Sequence, residues 1–118
     1  FDHPGEDPKV PYVTAKLADT EGPAVAVSDY MRAVQDQIRG YVPNEWASLG
    51  TDGFGFADTR AGARRFFQVD AESIVVATLT QLEKAGQYRA GAAKEAYAKY
   101  RLDDPTATRG VKQEGAGA

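Results

Sequence analysis

Two short runs of residues, with a helical pattern between them, constrain the fold of this chain more than any other feature. Residues 24–27 read AVAV between a Gly-Pro turn and Ser-Asp, and residues 46–49 read WASL. A short run that is bounded by turn residues and lacks polar alternation is typical of a strand buried on both faces of a parallel sheet. The sequence therefore predicts a β-α-β unit over residues 24–49, with a right-handed crossover.

The segment between the two runs predicts a single helix that starts at Ser28 or Asp29 and ends near Tyr41, before Pro43. Its apolar residues recur at helical spacing, so they form one stripe, and charged residues occupy the other side. The stripe consists of Met31, Val34, Ile38 and Tyr41, and the solvated side carries Arg32, Asp36 and Arg39. This pattern is typical of a helix whose apolar face meets a core.

Three further helices are predicted in the second half of the chain. The first covers residues 59–67, and the second covers roughly residues 71–85, with Asp70 as its N-cap and Gly86 in its C′ position. The third covers residues 92–102 and ends at an Asp-Asp-Pro sequence, which breaks a helix.

A sheet of only two strands has two open edges and is not a stable architecture. The sequence offers few other strand candidates, so the missing strands would come from the connector, another chain or an upstream part of a longer protein. We therefore expect a partial α/β domain at residues 24–104, after a proline-rich segment (residues 1–23) and before a flexible tail (residues 105–118). The only methionine, Met31, is internal, which favours a processed product or a piece of something longer.

The glycine-rich segment LGTDGFGFADTR, residues 49–60, is the one stretch with functional specificity. Its three glycines permit sharp turns or the close approach of another group to the backbone. Asp58 or Thr59 is expected to cap the helix that follows, because both side chains accept hydrogen bonds from free helix amides. The sequence predicts a strand–loop–helix corner, with a structural turn as its main role and an interface as the alternative.

Other chemical roles for this corner have weaker support. An anion site at the helix N-terminus lacks the Rossmann or P-loop spacing, and Asp52 and Asp58 would repel an anion. The same two carboxylates lack the spacing of a calcium loop. An acid–base pair formed by them stays open without further support, and capping is the expected role of Asp58.

Basic and aromatic residues flank the corner. For the basic ones a solvated or salt-bridged helix face is the default interpretation, and a grip on an acidic substrate or partner is the alternative. The aromatic ones are predicted to belong to a core or an interface. The basic set is Arg60, Arg64 and Arg65, and the aromatic set is Phe54, Phe56, Phe66 and Phe67.

Composition excludes several classes of function. A net charge of −3 argues against nucleic-acid binding, which requires a clustered basic surface. The chain has no cysteine, and its single histidine, His3, cannot build a metal cluster or a catalytic triad within the chain. No apolar run approaches the roughly 18 residues of a membrane span, so no membrane partner is expected. No catalytic, cofactor-binding or metal-binding residue is therefore assigned.

Three segments resemble the C-terminal end of the bacterial homodimeric pyruvate dehydrogenase E1 family. They are VPYVTAKL (residues 10–17), AVAVSDYMRAVQDQIRGYVP (24–43) and LGTDGFGFADTRAGARRFFQVDAESIVVATL (49–79). The resemblance implies a three-layer α/β/α domain of the transketolase C-terminal type, with a mixed and mostly parallel sheet that is incomplete in this chain. It also implies a cytoplasmic parent enzyme that decarboxylates pyruvate and reductively acetylates the lipoyl group of its E2 partner, dihydrolipoyl acetyltransferase.

The same resemblance implies that thiamine diphosphate and Mg²⁺ are held by upstream domains, outside these 118 residues. Within the chain it implies a role for the corner in packing against the rest of the E1 chain and its homodimer mate, and around the active-site entrance. That role would fall on Thr51, Asp52, Gly53, Phe54 and Gly55, with Asp58 and Arg60 as anchors of the corner. Phe56 and Ala57 depart from the basic residue and serine that many members carry there.

Two other interpretations remain open at this point. The chain is alternatively a stand-alone α/β module that dimerises or senses a ligand without catalysis. The parent enzyme alternatively acts on another 2-oxo acid or on a ketose.

Overall fold

The computed structural model describes residues 3–53, 55–104 and 106–107. The predictions for Phe54 and for nearly all of the tail at residues 105–118 therefore lie outside the described residues. The elements in chain order are α1 (Tyr12–Leu17), β1 (Ala24–Val27), α2 (Arg32–Asp36), a 3₁₀ turn (Arg39–Tyr41), β2 (Trp46–Leu49), α3 (Arg60–Phe66), α4 (Ala71–Lys84) and α5 (Ala92–Lys99).

The two predicted strands are confirmed with their bounds, and they pair in parallel. The register runs from Ala24 opposite Trp46 to Val27 opposite Leu49. The ladder continues past the last pair, because the amide of Ser28 donates to the carbonyl of Leu49 over 3.2 Å. Among the described residues this sheet has two strands, which agrees with the expected incomplete α/β domain.

The prediction that the strands are buried on both faces is wrong for this chain. No residue of β1 or β2 is fully buried, and Val27 is exposed. The reason is architectural, since a two-stranded sheet has no neighbour along either outer edge, and the helices that contact it, α2 and α4, leave its residues partly accessible. The buried apolar residues of the described chain lie instead among the helices, at Val69 and Ala92.

The helix predicted from Ser28 or Asp29 to Tyr41 is wrong in its extent. Met31 occupies the N-cap position of a five-residue α2, and the separate 3₁₀ turn follows it. Ser28 does not cap α2, because its hydroxyl accepts from the amide of Tyr30 over 3.1 Å and donates to Gln35 over 3.0 Å. Residues 28–31 are thereby held in a turn that delays the start of the helix.

The face that α2 presents to the sheet is polar. The Gln35 amide donates to the Ser48 hydroxyl over 3.0 Å and to the Leu49 carbonyl over 2.8 Å. The indole N–H of Trp46 donates to the Asp36 carboxylate over 2.8 Å, so the prediction that Asp36 lies on the solvated side is wrong. The apolar stripe is exposed, at Met31, Val34, Ile38 and Tyr41. The polar groups of β2 need hydrogen-bond partners, and Gln35 and Asp36 of α2 supply them. The polar side of α2 therefore faces the sheet, and its apolar stripe does not.

The signals that end and begin the later helices are confirmed. Thr59 caps α3 by accepting from the amide of Gly62, and Asp70 caps α4 by accepting from the amide of Ser73. Gly86 has φ +71° at the end of α4, where a left-handed residue is favoured. α5 is shorter than predicted, because Arg101 adopts φ +53° directly after its last turn. No helix within the described ranges is long and apolar enough to cross a membrane.

Candidate functional site

The loop that follows β2 is joined to the loop that follows β1. The amide of Thr51 donates to the carbonyl of Tyr30 over 2.9 Å, and the Thr51 hydroxyl donates to the carbonyl of Asp29 over 2.5 Å. Gly50 is required for this contact, because a Cβ atom there would lie 2.6 Å from the Tyr30 carbonyl and 2.8 Å from the Arg32 amide. The carboxyl ends of both strands thus form one corner.

Asp52 anchors this corner from the side of α2. Its carboxylate accepts from the backbone amide of Arg32 over 2.9 Å and from the Arg32 guanidinium over 2.5 Å. The hydrogen bond from the Arg32 amide, followed by that from the Arg32 side chain, lowers the pKa of the Asp52 carboxyl. Asp52 therefore remains an acceptor for the first turn of α2.

The remaining corner residues lead into α3. Gly53 has φ +119°, a conformation that favours glycine, and it has open space around its Cα. The Asp58 carboxylate accepts from the amide of Thr59 over 2.7 Å and packs over Gly62, where a Cβ atom would lie 2.8 Å from it. Of the two predicted caps, Thr59 is the one whose side chain reaches into the helix, and Asp58 covers its first turn.

A cleft of about 440 Å³ opens at this corner. Its lining includes four of the predicted site residues, Thr51, Gly53, Gly55 and Arg60. The other residues that line it are Asp29, Phe56, Ala63, Arg64, Phe67 and Val69. Asp52 and Asp58 do not line it, so the structure brings together only part of the predicted set. We refer to this space as the corner cleft.

Phe56 and Phe67 form the aromatic wall of the corner cleft, and Phe66, which lies outside its lining, packs against both. The rings of Phe56 and Phe66 stack with centroids 4.1 Å apart, and the ring of Phe67 meets that of Phe66 edge-on at 5.1 Å. Phe66 and Phe56 remain exposed on their outer sides. The cluster fits the predicted core or interface role and gives the cleft a fixed apolar side.

Arg65 is salt-bridged, as the default interpretation of the basic residues predicted, but it is buried and does not share an exposed helix face with Arg60 and Arg64. Its side chain is only 2% exposed and donates to the Asp70 carboxylate, with Glu72 3.7 Å away. It also donates to three backbone carbonyls, those of Tyr100 (3.1 Å), Arg101 (3.4 Å) and Ala107 (3.0 Å). We call these residues the arginine hub.

The arginine hub includes Asp70, the N-cap of α4, and affects the pKa of its carboxyl. Burial raises the pKa of the Asp70 carboxyl, but hydrogen bonds from Ser73 and Arg65 outweigh that effect, so the pKa lies below its ordinary value of 3.8. Sequence reasoning missed the hub because three arginines of one short helix look alike in the sequence. The only local signal is the spacing of Arg65 from the cap residue Asp70.

A metal site requires several acidic, histidine or cysteine side chains placed together as ligands. Within the described ranges, no group of three or more histidine, cysteine, aspartate or glutamate side chains is placed to hold a metal ion. The corner cleft contributes one carboxylate, Asp29, and two guanidinium groups, which do not suit Mg²⁺.

The sequence is similar to one known protein family and to several individual proteins. The sequence model of the family described as transketolase-like TK C-terminal domain matches residues 6–70. The pyruvate dehydrogenase E1 component of Mycolicibacterium smegmatis is 54% identical over 105 residues, which cover 89% of this chain and 11% of that protein. The E1 component of Mycobacterium tuberculosis is 51% identical over the same shares, and that of Escherichia coli K12 is 44% identical over 102 residues. The chain thus spans about 11% of the length of the curated relatives it matches.

Proposed function

Because the chain belongs to the transketolase-like C-terminal domain family, we propose that it is a C-terminal segment of a pyruvate dehydrogenase E1 component. The observation that carries this proposal is the 54% identity to one such component over 89% of the chain. The half-covered strands of the two-stranded sheet support it, since a segment of a larger domain leaves edges for strands that lie elsewhere.

The proposal assigns the chemistry to the longer protein. That enzyme would decarboxylate pyruvate and reductively acetylate the lipoyl group of dihydrolipoyl acetyltransferase, in the cytoplasm and as a homodimer. Thiamine diphosphate, when bound, would supply the electron sink for decarboxylation. Within the described ranges, no group of three or more acidic, histidine or cysteine side chains is placed to hold the Mg²⁺ that would accompany the cofactor. No catalytic step is therefore assigned to this chain.

The part proposed for this chain is to pack the dimer and the surroundings of the active-site entrance. Thr51, Gly53, Gly55 and Arg60 would supply that surface, since they share one cleft at the carboxyl ends of the strands. Asp52 and Asp58 would hold the corner from behind through their contacts with α2 and α3. Phe54 belongs to the same proposed surface by its position in the sequence.

The first test is the intact mass of the natural protein in its source cells, detected with an antibody to this segment. A species far above 12.7 kDa is expected. A natural species of about that mass would contradict the proposal and favour a stand-alone dimerisation or ligand-sensing module, whose open strand edges would then need another chain.

The second test replaces the matched 105 residues of the Mycolicibacterium smegmatis E1 component by this chain. The chimera is expected to retain pyruvate decarboxylation, whereas this chain alone with thiamine diphosphate, Mg²⁺ and pyruvate should show no turnover. Robust turnover by the chain alone would show that the catalytic groups lie within it. Assays of the natural-length protein with other 2-oxo acids and with ketose phosphates separate pyruvate from the alternative substrates.

A further inference from the structure

The corner cleft has the location of a ligand site. It lies where β1 and β2 end, and in open α/β sheets ligands bind in crevices outside the carboxyl ends of the strands. A neighbouring hollow of about 470 Å³ shares Asp29, Arg64 and Val69 with it. The two hollows thus run together along the same edge, with the corner cleft at its aromatic end.

The charges in the corner cleft favour an anion. Arg64 is paired only loosely, with its guanidinium 4.0 Å from the Asp29 carboxylate, and the two side chains are 41% and 75% exposed. Arg60 lines the same space, and none of the ion pairs formed among the described residues involves it. Two arginines that line one cleft can form a receptor for a carboxylate, because each guanidinium group presents a planar fork of donors.

Asp52 and Asp58 were expected to repel an anion at this corner, but neither of them lines the corner cleft. Asp52 is held by Arg32 on the α2 side, and Asp58 lies over Gly62. Asp29 is the one carboxylate among the described residues of the lining, so the two arginines outnumber it. That positive balance attracts an anionic group, and the planar fork of a guanidinium matches a carboxylate.

The remaining lining is apolar, and its volume exceeds the needs of a bare carboxylate. Phe56 and Phe67 form one wall, with Ala63 and Val69 nearby. A volume of about 440 Å³ is within the range of pockets that hold organic ligands. A ligand that fills it therefore has an apolar body attached to the anionic group.

We propose that the corner cleft binds a small carboxylic acid with an aromatic or similarly bulky apolar body. The carboxylate would lie between Arg60 and Arg64, and the body would lie against Phe56 and Phe67. This proposal requires that the surface formed by Thr51, Gly53, Gly55 and Arg60 borders the active-site entrance and is not covered by the dimer. It does not rest on the catalytic function proposed above, and its test requires no measurement of turnover.

The test is isothermal titration calorimetry of the natural-length protein with phenylacetate as the probe. Phenylacetate is expected to bind, whereas phenylacetamide, which lacks the charge, and acetate, which lacks the ring, should bind at least about tenfold more weakly. Phenylphosphonate, which carries the same ring on a phosphonate group, tests whether the cleft takes a carboxylate or a phosphate-like anion. Tighter binding of phenylphosphonate than of phenylacetate would overturn the proposed preference for a carboxylate.

Variants assign the binding to this cleft. Arg60→Gln should weaken phenylacetate binding about tenfold, and the double variant with Arg64→Gln should abolish it. Phe56→Ala should weaken it roughly fivefold. Arg39→Gln removes an exposed arginine of the 3₁₀ turn, outside the cleft, and serves as the matched control that leaves binding unchanged.

All variants are compared by circular dichroism before titration, and the three substituted cleft residues are solvent-accessible, so loss of folding is separable from loss of binding. Two outcomes would overturn the proposal. One is the absence of phenylacetate binding to the unsubstituted protein, as expected if another part of the longer protein fills the cleft. The other is equal binding to the unsubstituted protein and to the Arg60 and Arg64 variants.

Discussion

The sheet corner and the arginine hub satisfy their polar groups in opposite ways. At the sheet corner, formed by β1, β2, α2 and the loop between β2 and α3, the contacts are made by exposed or half-buried groups such as Gln35 and Asp52. At the hub, the buried Arg65 side chain joins α3, the cap of α4 and the segment after α5. The hub is therefore shielded from water and the corner is open to it, although exposed apolar residues occur in both halves, at Met31 beside the corner and at Val75 and Tyr97 in the later helices.

This difference in burial indicates which contacts are costly to remove. Removal of a partner from a buried ion pair is costly, because the remaining charge and acceptors stay desolvated. Removal of an exposed contact costs little, because water replaces it. Substitutions in the hub should therefore affect all three later helices, whereas substitutions in the corner should have local effects.

The largest effect is expected for Arg65→Met, which keeps much of the side-chain volume and removes every donor of the hub. It would leave Asp70 without its cation and three carbonyls without their donor, so we expect a loss of about 3–5 kcal/mol. Hydrogen exchange of the α3, α4 and α5 amides, followed by mass spectrometry, measures that loss.

Arg64→Met is the matched control, since Arg64 is a half-exposed neighbour with a 4.0 Å ion pair. It should cost less than about 0.5 kcal/mol. Equal losses of protection in the two variants would show that the hub contributes no more than a surface arginine.

The next effect is expected at the tightest point of the corner. Gly50→Ala places a methyl group 2.6 Å from the carbonyl of Tyr30 and 2.8 Å from the amide of Arg32, both of which are backbone atoms. The two loops must separate, at a cost of about 1–3 kcal/mol. Faster exchange of the Thr51 amide, which donates to Tyr30, reports this separation.

Gly55→Ala is the control for the corner, because a Cβ atom there meets nothing within 4 Å. Its cost should stay below about 0.5 kcal/mol. If Gly50→Ala also reduced the protection of the α5 amides from hydrogen exchange, the corner and the hub would be energetically coupled. They would then not be independent regions of the chain.

Acid should weaken the hub through Asp70. Since the pKa of Asp70 in the folded chain is below its ordinary value of 3.8, its contribution to stability is present above that value and is lost as the pH falls through the lower, folded value. Thermal unfolding measured from about pH 6 downward should show this loss. Asp70→Asn should cost about 1–2 kcal/mol at neutral pH and should reduce the acid dependence. An unchanged acid dependence in that variant would assign it to other groups.

The sequence predicts the features of this fold that depend on neighbouring residues. Both strands, the caps Thr59 and Asp70 and the left-handed Gly86 follow from residue types within a few positions, and all are confirmed. The family resemblance is also confirmed by the match over residues 6–70.

Contacts between distant residues were not predictable in the same way. The carbonyls that Arg65 reaches are 35 to 42 residues away, and backbone acceptors leave no signature in the side-chain sequence. The polar face of α2 was missed because the periodicity of Met31 and Val34 indicates an apolar face but does not show what covers it. The candidate site was predicted in part, since the sequence grouped Thr51 and Arg60 but also included Asp52, which a long-range contact with Arg32 turns away.

The smallest effect is expected for Asp52→Asn, and it is the most informative about whether the two regions are separate. Both Asp52 and Arg32 are largely exposed, so loss of the charge should leave the helices unchanged and increase only the exchange of the Arg32 amide.

The hydrogen bond from that amide is the main cause of the lowered pKa of Asp52. Protection of the amide should therefore persist above 3.8 and be lost as the pH falls through the lower, folded pKa, and Asp52→Asn should remove this dependence. If Asp52→Asn instead increased exchange in α4 or α5, the corner would support the hub, and the independence inferred from their contacts would be wrong.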